Sequence, residues 1–206
     1  MIEVTFGDAM RQRKAEDTLS HLQTHIGGAP FALFLVADGH GGAATAHHLR
    51  GHLLERIASK ASSAAPADVE AACTACFKEI HAETQGPKFE QSGATCTVIV
   101  VNMETAAITC ANVGDSQAFL VEEEGERDRL ALVESLSLQP GCPVSRAASF
   151  DVGGVSRDAA VSVLVSGPRA SGVAAQLHAA AALLAQRRTG GKGVRDARDG
   201  LSLIHI

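Results

Sequence analysis

FALFLVADGHGG, residues 31–42, sets the frame in which the rest of the chain is read. Its opening run, 31–38, is bulky and continuous, the pattern of a buried strand. The run stops at Asp38-Gly39-His40-Gly41-Gly42, where three glycines permit backbone angles that other residues avoid. An acid and a histidine therefore stand at the exposed end of a buried strand. Immediately beyond, Ala46, Leu49, Leu53, Leu54 and Ile57 recur at helical spacing and predict a helix over 43–60.

Working outward, Gly27, Gly28 and Pro30 break the chain just before this strand, and residues 16–25 are polar and mixed. Residues 2–6 (IEVTF) alternate as a short strand. On the other side, 61–67 is small and turn-like. A second helix is predicted over 67–84, with Val69, Ala72, Cys73, Cys76 and Ile80 along one side and Gly86-Pro87 ending it. Strands follow at 94–102, 106–112 and 116–121. Their connections, Met103-Glu104-Thr105 and Val113-Gly114-Asp115, are short, so neighbours are expected to pair antiparallel as a meander. The cluster Glu122, Glu123, Glu124, Glu126 and Asp128 reads as a solvated turn. The pattern is α+β, with antiparallel sheet and two substantial helices.

Composition agrees with a globular domain: of 206 residues, 46% are hydrophobic and 20% charged, which excludes wholesale disorder. With 36 Ala, seven Phe and no Trp or Tyr, the core leans on aliphatic side chains and close helix packing. No apolar run approaches the roughly 18 residues that span a bilayer, and the first residues, MIEVTFGDAMRQRK, hold acids before any apolar stretch and are no secretory signal. The expected location is intracellular, cytoplasmic or nuclear, with the five Cys as reduced thiols. The net charge of −5 is uneven: residues 159–206 carry +4, leaving −9 on the first 158. An acidic body suits cation binding and argues against a nucleic-acid surface. The change in composition places a boundary near 158.

Three features carry chemistry. They are Glu16-Asp17 after the basic residues Arg11, Arg13 and Lys14, then Asp38-Gly39-His40, then Gly114-Asp115-Ser116 in a tight turn. Carboxylates projecting from strand ends onto one sheet edge can share hard divalent cations. A glycine beside a ligand lets its carbonyl approach the metal, and a neighbouring His can pass a proton. Singly, each is weak, because Asp-Gly is usually a turn signal and Glu-Asp usually begins a helix.

In this order, FLVADGHGG (34–42), SGATCTVIVVN (92–102) and ANVGDSQAFLV (111–121) resemble the metal-dependent protein phosphatase family (PPM, type 2C). Glu16-Asp17 stands where that family has its early Glu-Asp pair, and RAASFDVGGVSRD (146–158) is similar to its segment ending in GG-x-V. The resemblance covers residues 1–158. It implies a β-sandwich of two antiparallel sheets flanked by helices (α-β-β-α), lacking its C-terminal part. It also implies a Mg²⁺- or Mn²⁺-dependent serine/threonine phosphatase with two ions in the complete site. Its substrates would be phosphoserine and phosphothreonine proteins, hydrolysed by metal-activated water without a protein nucleophile. Nucleic acid and membrane are not among the expected partners, and the expected state is a monomer. By this resemblance Asp38 bridges the metals, the Gly39 carbonyl binds one, Glu16 serves the second, and Asp17 supports. His40 is the general acid and Asp115 lies on the metal side of its hairpin.

The departures are specific. The family's phosphate-binding Arg falls at Gln12, so either Arg13 or Arg11 takes that role. LSLQP (136–140) has lost the acid of the family's Asp-His-x-Pro stretch, and GDSQA carries Gln117 in place of Arg. Residues 159–206 hold no DGLWD-like segment and no late Asp-Asn pair, only Asp196 and Asp199. LSLIHI (201–206) is what a transposon-end sequencing adapter gives when translated. Residues 159–200 are accordingly unassigned, from a shifted frame or an intron, and 159–206 is expected to be poorly ordered or irregularly packed. The alternative function is a non-catalytic PPM-like binding module that keeps the fold without turnover.

Other signals read as structural. Cys73-x-x-Cys76 on a helix is a buried side with no second Cys pair. His21/His25 and His48/His52 have zinc-compatible spacing but no evident third ligand, and are expected to be exposed helix histidines. TGGKG (189–193) lacks Walker A spacing, and no G-x-S-x-G elbow occurs.

Overall fold

The computed structural model describes residues 4–9, 15–114, 116–124, 127–131, 146–151, 161–166 and 201–205. The chain begins with strands β1 (Thr5–Ala9), β2 (Thr18–Ile26), β3 (Ala29–Ala37) and β4 (Gly39–His40), followed by helices α1 (Ala44–Lys60) and α2 (Pro66–Glu83). A short 3-10 helix (Pro87–Phe89) leads to β5 (Gly93–Ala94), β6 (Cys96–Asn102), β7 (Ala107–Val113), β8 (Gln117–Glu124) and β9 (Arg127–Ala131). Strands β10 (Arg146–Asp151), β11 (Val161–Ser166) and β12 (Leu201–His205) complete the described elements. One sheet runs β10-β7-β6-β3-β2, a second runs β1-β12-β11-β8-β9, and β4 and β5 form a two-stranded ribbon. Every pairing among these strands is antiparallel.

The first sheet owes its place to sequence. Side chains alternate across a strand. Phe31, Leu33, Leu35 and Ala37 of β3, with Val98 and Val100 of β6, turn one face toward the helices. There they meet Ala46, Leu49, Leu53, Leu54 and Ile57 of α1 and Val69, Ala72, Cys73, Cys76 and Ile80 of α2. The intervening residues, Ala32, Phe34, Ile99 and Val101, are buried as well, so both faces of the central strands are covered. That explains why β3 and β6 read as unbroken apolar runs rather than alternating ones. Both predicted helices form within a residue or two of their expected ends.

Several expectations change. The polar stretch 16–25 forms β2, because one half-buried strand at the rim of the sheet, packed beside α1, tolerates polar side chains on its open face. His21 and His25 are therefore exposed on a strand, not on a helix. Of the strand expected at 2–6, residues 2 and 3 lie outside the described residues, and β1 runs Thr5–Ala9. The three-strand meander stops at β7, whose two edges are taken by β6 and β10. The chain therefore crosses at Gly114 to the other sheet, where β8 pairs with β9 and β11. The acidic cluster is largely strand: Glu122, Glu123 and Glu124 pair in register with Arg129, Asp128 and Arg127. Within 159–206, β11 and β12 both join the second sheet, and the remaining residues lie outside the described ones.

Candidate active site

The register of β2 on β3 brings the first two acidic motifs to one place. Thr18 pairs with Ala37, so Glu16-Asp17 and Asp38 lie at the same end of the sheet. Glu16, Asp17 and Asp38 are all half-buried there. Gly39 packs against the Glu16 backbone so closely that a Cβ on it would stand 2.2 Å from the Glu16 carbonyl oxygen. Three residues on, the Gly42 N–H donates to Glu16 Oε1 at 2.9 Å. Glu16 thus meets both ends of Gly39–Gly42, its backbone packed against Gly39 and its carboxylate hydrogen-bonded to Gly42.

The third strand segment is attached from the opposite side. Gly39 pairs with Ala94 and His40 with Gly93, and the Thr95 N–H donates to the Asp38 carbonyl at 2.9 Å. His40 is exposed, and its ring lies on Gly93, where a Cβ would come within 2.3 Å of Nε2. The glycine makes room for the imidazole. Thr95 in turn shares a hydrogen bond with the buried Ser116, Oγ1 to Oγ at 2.6 Å. Asn112 Nδ2 donates to the Gly114 carbonyl at 3.2 Å, fixing the start of the same turn. Asp115, Arg11 and Arg13 lie outside the described residues.

Sequence reading found the acids but gave the hydroxyls no role. Ser92, Thr95 and Ser116 tie the three motifs together, and each stands inside a quoted motif, SGATC or GDS. The donors at this edge, the carboxylates of Glu16, Asp17 and Asp38 and the carbonyl of the close-packed Gly39, have the hard-oxygen chemistry that Mg²⁺ and Mn²⁺ prefer. Among the described residues no group of three or more His, Cys, Asp or Glu is gathered as a metal site, so the fit is that of a partial donor set.

The signals set aside earlier are structural. Cys73, Cys76, Cys96 and Cys110 are buried free thiols. Burial pushes Cys73 and Cys110 up to about 12 and Cys76 up to about 11, far from a reactive thiolate. His48 departs from the expected exposure: it is half-buried, bonds Glu83 at 2.8 Å and packs edge-on to Phe89. No helix among the described residues is long and apolar enough to cross a membrane.

Two antiparallel sheets with a helix pair on one face are an architecture that this chain shares with solved serine/threonine phosphatases. A Streptococcus agalactiae serine/threonine phosphatase superposes with a TM-score of 0.58 over 98% of each chain, at 12% identity. The Mycobacterium tuberculosis serine/threonine phosphatase PstP/Ppp gives 0.53 over 98% of this chain and 96% of its own, at 16% identity. Residues 7–134 match the family model for protein phosphatase 2C. The chain belongs to that family. It is 32% identical over 139 residues to "Probable protein phosphatase 2C 15" of Arabidopsis thaliana, covering 63% of this chain and 31% of that protein. It is 34% identical over 96 residues to "Probable protein phosphatase 1N" of Homo sapiens, covering 44% and 21% respectively. The match spans about a third or less of the length of these curated relatives.

Proposed function

We propose that this chain carries part of the site of a Mg²⁺- or Mn²⁺-dependent phosphatase acting on phosphoserine and phosphothreonine in proteins. The observation that supports this best is the contact of Glu16 with both ends of Gly39–Gly42, which joins two separate acidic motifs into one edge. Glu16, Asp38 and the Gly39 carbonyl would hold one hard cation, with Asp17 in support and Asp115 contributing from the turn after Gly114. Bound divalent cations of this class acidify water and offset phosphate charge. His40 would protonate the departing serine or threonine oxygen, a role that its exposure allows. Arg13 or Arg11 would hold the phosphate.

A second reading, a binding module of the same fold without turnover, is favoured by one observation. Residues 159–206 contain only Asp196 and Asp199 as acids, neither in a segment like the family's late ligands. The experiment combines Mn²⁺ titration with a phosphothreonine-peptide assay on the chain and its Asp38→Asn variant. Mn²⁺-dependent phosphate release that Asp38→Asn abolishes supports the first reading. Mn²⁺ binding that Asp38→Asn abolishes, without any release, supports the second. Binding indifferent to Asp38→Asn removes both.

A further inference from the structure

Helix α1 starts without a cap of its own, because Ala43 stands at the capping position and offers no side-chain acceptor. The cap comes instead from Ser92, far along the chain. Its Oγ accepts from the Thr45 N–H at 3.0 Å and donates to the Gly42 carbonyl at 2.8 Å. The Thr45 hydroxyl returns the contact by donating to the Ser92 carbonyl at 2.8 Å. Ser92 is itself anchored by its N–H on the Phe89 carbonyl at 2.8 Å.

The consequence lies on the other side of Gly42. While its carbonyl is held by Ser92, its N–H holds Glu16 Oε1 at 2.9 Å. The preceding residue is pressed onto the same segment: Gly41 has φ +69, and a Cβ there would stand 1.8 Å from the Gln91 carbonyl oxygen. Gln91-Ser92 is therefore the surface on which the Gly41-Gly42 bend is laid. The direction of the Gly42 N–H, and with it one carboxylate oxygen of Glu16, follows from that bend.

We propose that Ser92 is a positioning residue for the Glu16 carboxylate, acting through Gly42. The proposal deepens the reading of Glu16 as a cation ligand and rests on it only for its metal arm. Groups that orient a metal ligand from behind typically change metal affinity by about 10–100-fold when removed. Ser92→Ala deletes both the donor and the acceptor, whereas Ser92→Thr keeps both.

The test has two readouts on the full chain. The first, without metal, is the ¹H shift and exchange protection of the Gly42 amide, assigned by its response to Glu16→Gln. The second is Mn²⁺ affinity. Ser92→Ala is expected to expose the Gly42 amide to exchange and to weaken Mn²⁺ binding about 10-fold. Ser92→Thr should restore both. Ser63→Ala makes the same chemical change before α2, where Ser63 Oγ accepts from the Ala65 N–H at 3.1 Å, and should move neither. Should Ser92→Ala prevent folding, Ser92→Cys, with its weaker donor, should shift both readouts in the same direction by less. A Gly42 amide unmoved by Ser92→Ala, or moved equally by Ser63→Ala, overturns the proposal. If the wild-type chain binds no Mn²⁺, the ligand reading of Glu16 fails, while the metal-free amide still decides whether Ser92 positions it.

Discussion

Gly39 and Glu16 meet backbone to backbone, with so little space that any Cβ on Gly39 would overlap the Glu16 carbonyl oxygen at 2.2 Å. The contact is between two main chains, so no side-chain rotation can relieve it. Gly39→Ala must push the Glu16 segment away from the strand end that bears Asp38. Overpacking of this kind costs about 1–3 kcal/mol. The expected outcome is a lower urea midpoint together with weakened Mn²⁺ binding. A variant with wild-type midpoint and affinity would show that the two segments separate freely.

Gly41 and Gly28 separate strain from crowding. Both have positive φ, +69 and +86, but a Cβ on Gly28 meets nothing within 4 Å. Gly28→Ala should therefore cost only the left-handed penalty, about 1 kcal/mol. Gly41→Ala adds a clash with the Gln91 carbonyl oxygen and should cost about 2–5 kcal/mol. Urea denaturation of the two variants side by side checks the ordering; equal losses would mean that the bend at 41 has room to open.

The buried thiols give a signed pH prediction. Cys73 and Cys110 rise from 9.0 to about 12 and Cys76 to about 11, chiefly through desolvation of the thiolate. A raised acid pKa means that the folded chain holds protons the unfolded chain releases. The stabilising effect of these neutral thiols is complete below pH 9 and lost as the pH climbs toward about 11–12. Stability is expected to fall over that window, and Cys73→Ala should flatten the slope. At neutral pH, iodoacetamide should label these buried thiols only after denaturation.

How much of this was legible beforehand depended on whether a residue's role was local. Strand β3, both helices and the Asp38–Gly42 motif announce themselves through continuous apolar runs, helical spacing and glycine content. Strand β2 did not, because its neighbours β3 and α1, not its own pattern, make TLSHLQTHI a strand. The short connection at Gly114 predicts a hairpin because its length permits one. Only the occupation of both β7 edges, by β6 and β10, sends β8 into the other sheet. Likewise Glu16 and Asp38 could be given roles from sequence, whereas Ser92 stands there only as the first residue of SGATCTVIVVN, with no role. Its significance is a set of hydrogen bonds to residues 47 and 50 positions away.

Glu83 predicts behaviour at the acid end. Hydrogen bonds from Arg56 and His48 hold its carboxyl down at about 2, from an ordinary 4.5. A depressed carboxylate contributes stability that is complete above pH 4.5 and lost as pH falls toward about 2. The effect should be small and salt-sensitive, because the Glu83 carboxylate and the Arg56 guanidinium are open to solvent. The difference in stability between the chain and Glu83→Gln should shrink between pH 4.5 and 2 and vanish at high salt. A difference that does not change with pH would assign Glu83 to packing instead.

The last prediction concerns rate. The chain should bind Mn²⁺ weakly through Glu16, Asp38 and the Gly39 carbonyl, helped by the −9 charge of residues 1–158. It should nonetheless turn over phosphothreonine peptide far more slowly than a full-length relative. Hydrolysis of a phosphate monoester gathers negative charge on the phosphoryl oxygens, and preorganised positive charge must meet it in the transition state. In the proposed site that charge comes from cations held by carboxylates, and the late carboxylates have no counterpart in 159–206 beyond Asp196 and Asp199. Losing one such ligand is expected to cost on the order of 4 kcal/mol, about a thousandfold in rate. Whatever rate remains should depend on Mn²⁺ and disappear in Asp38→Asn. Turnover equal to that of a full-length relative, still abolished by Asp38→Asn, would mean that residues 159–206 supply the missing ligands after all.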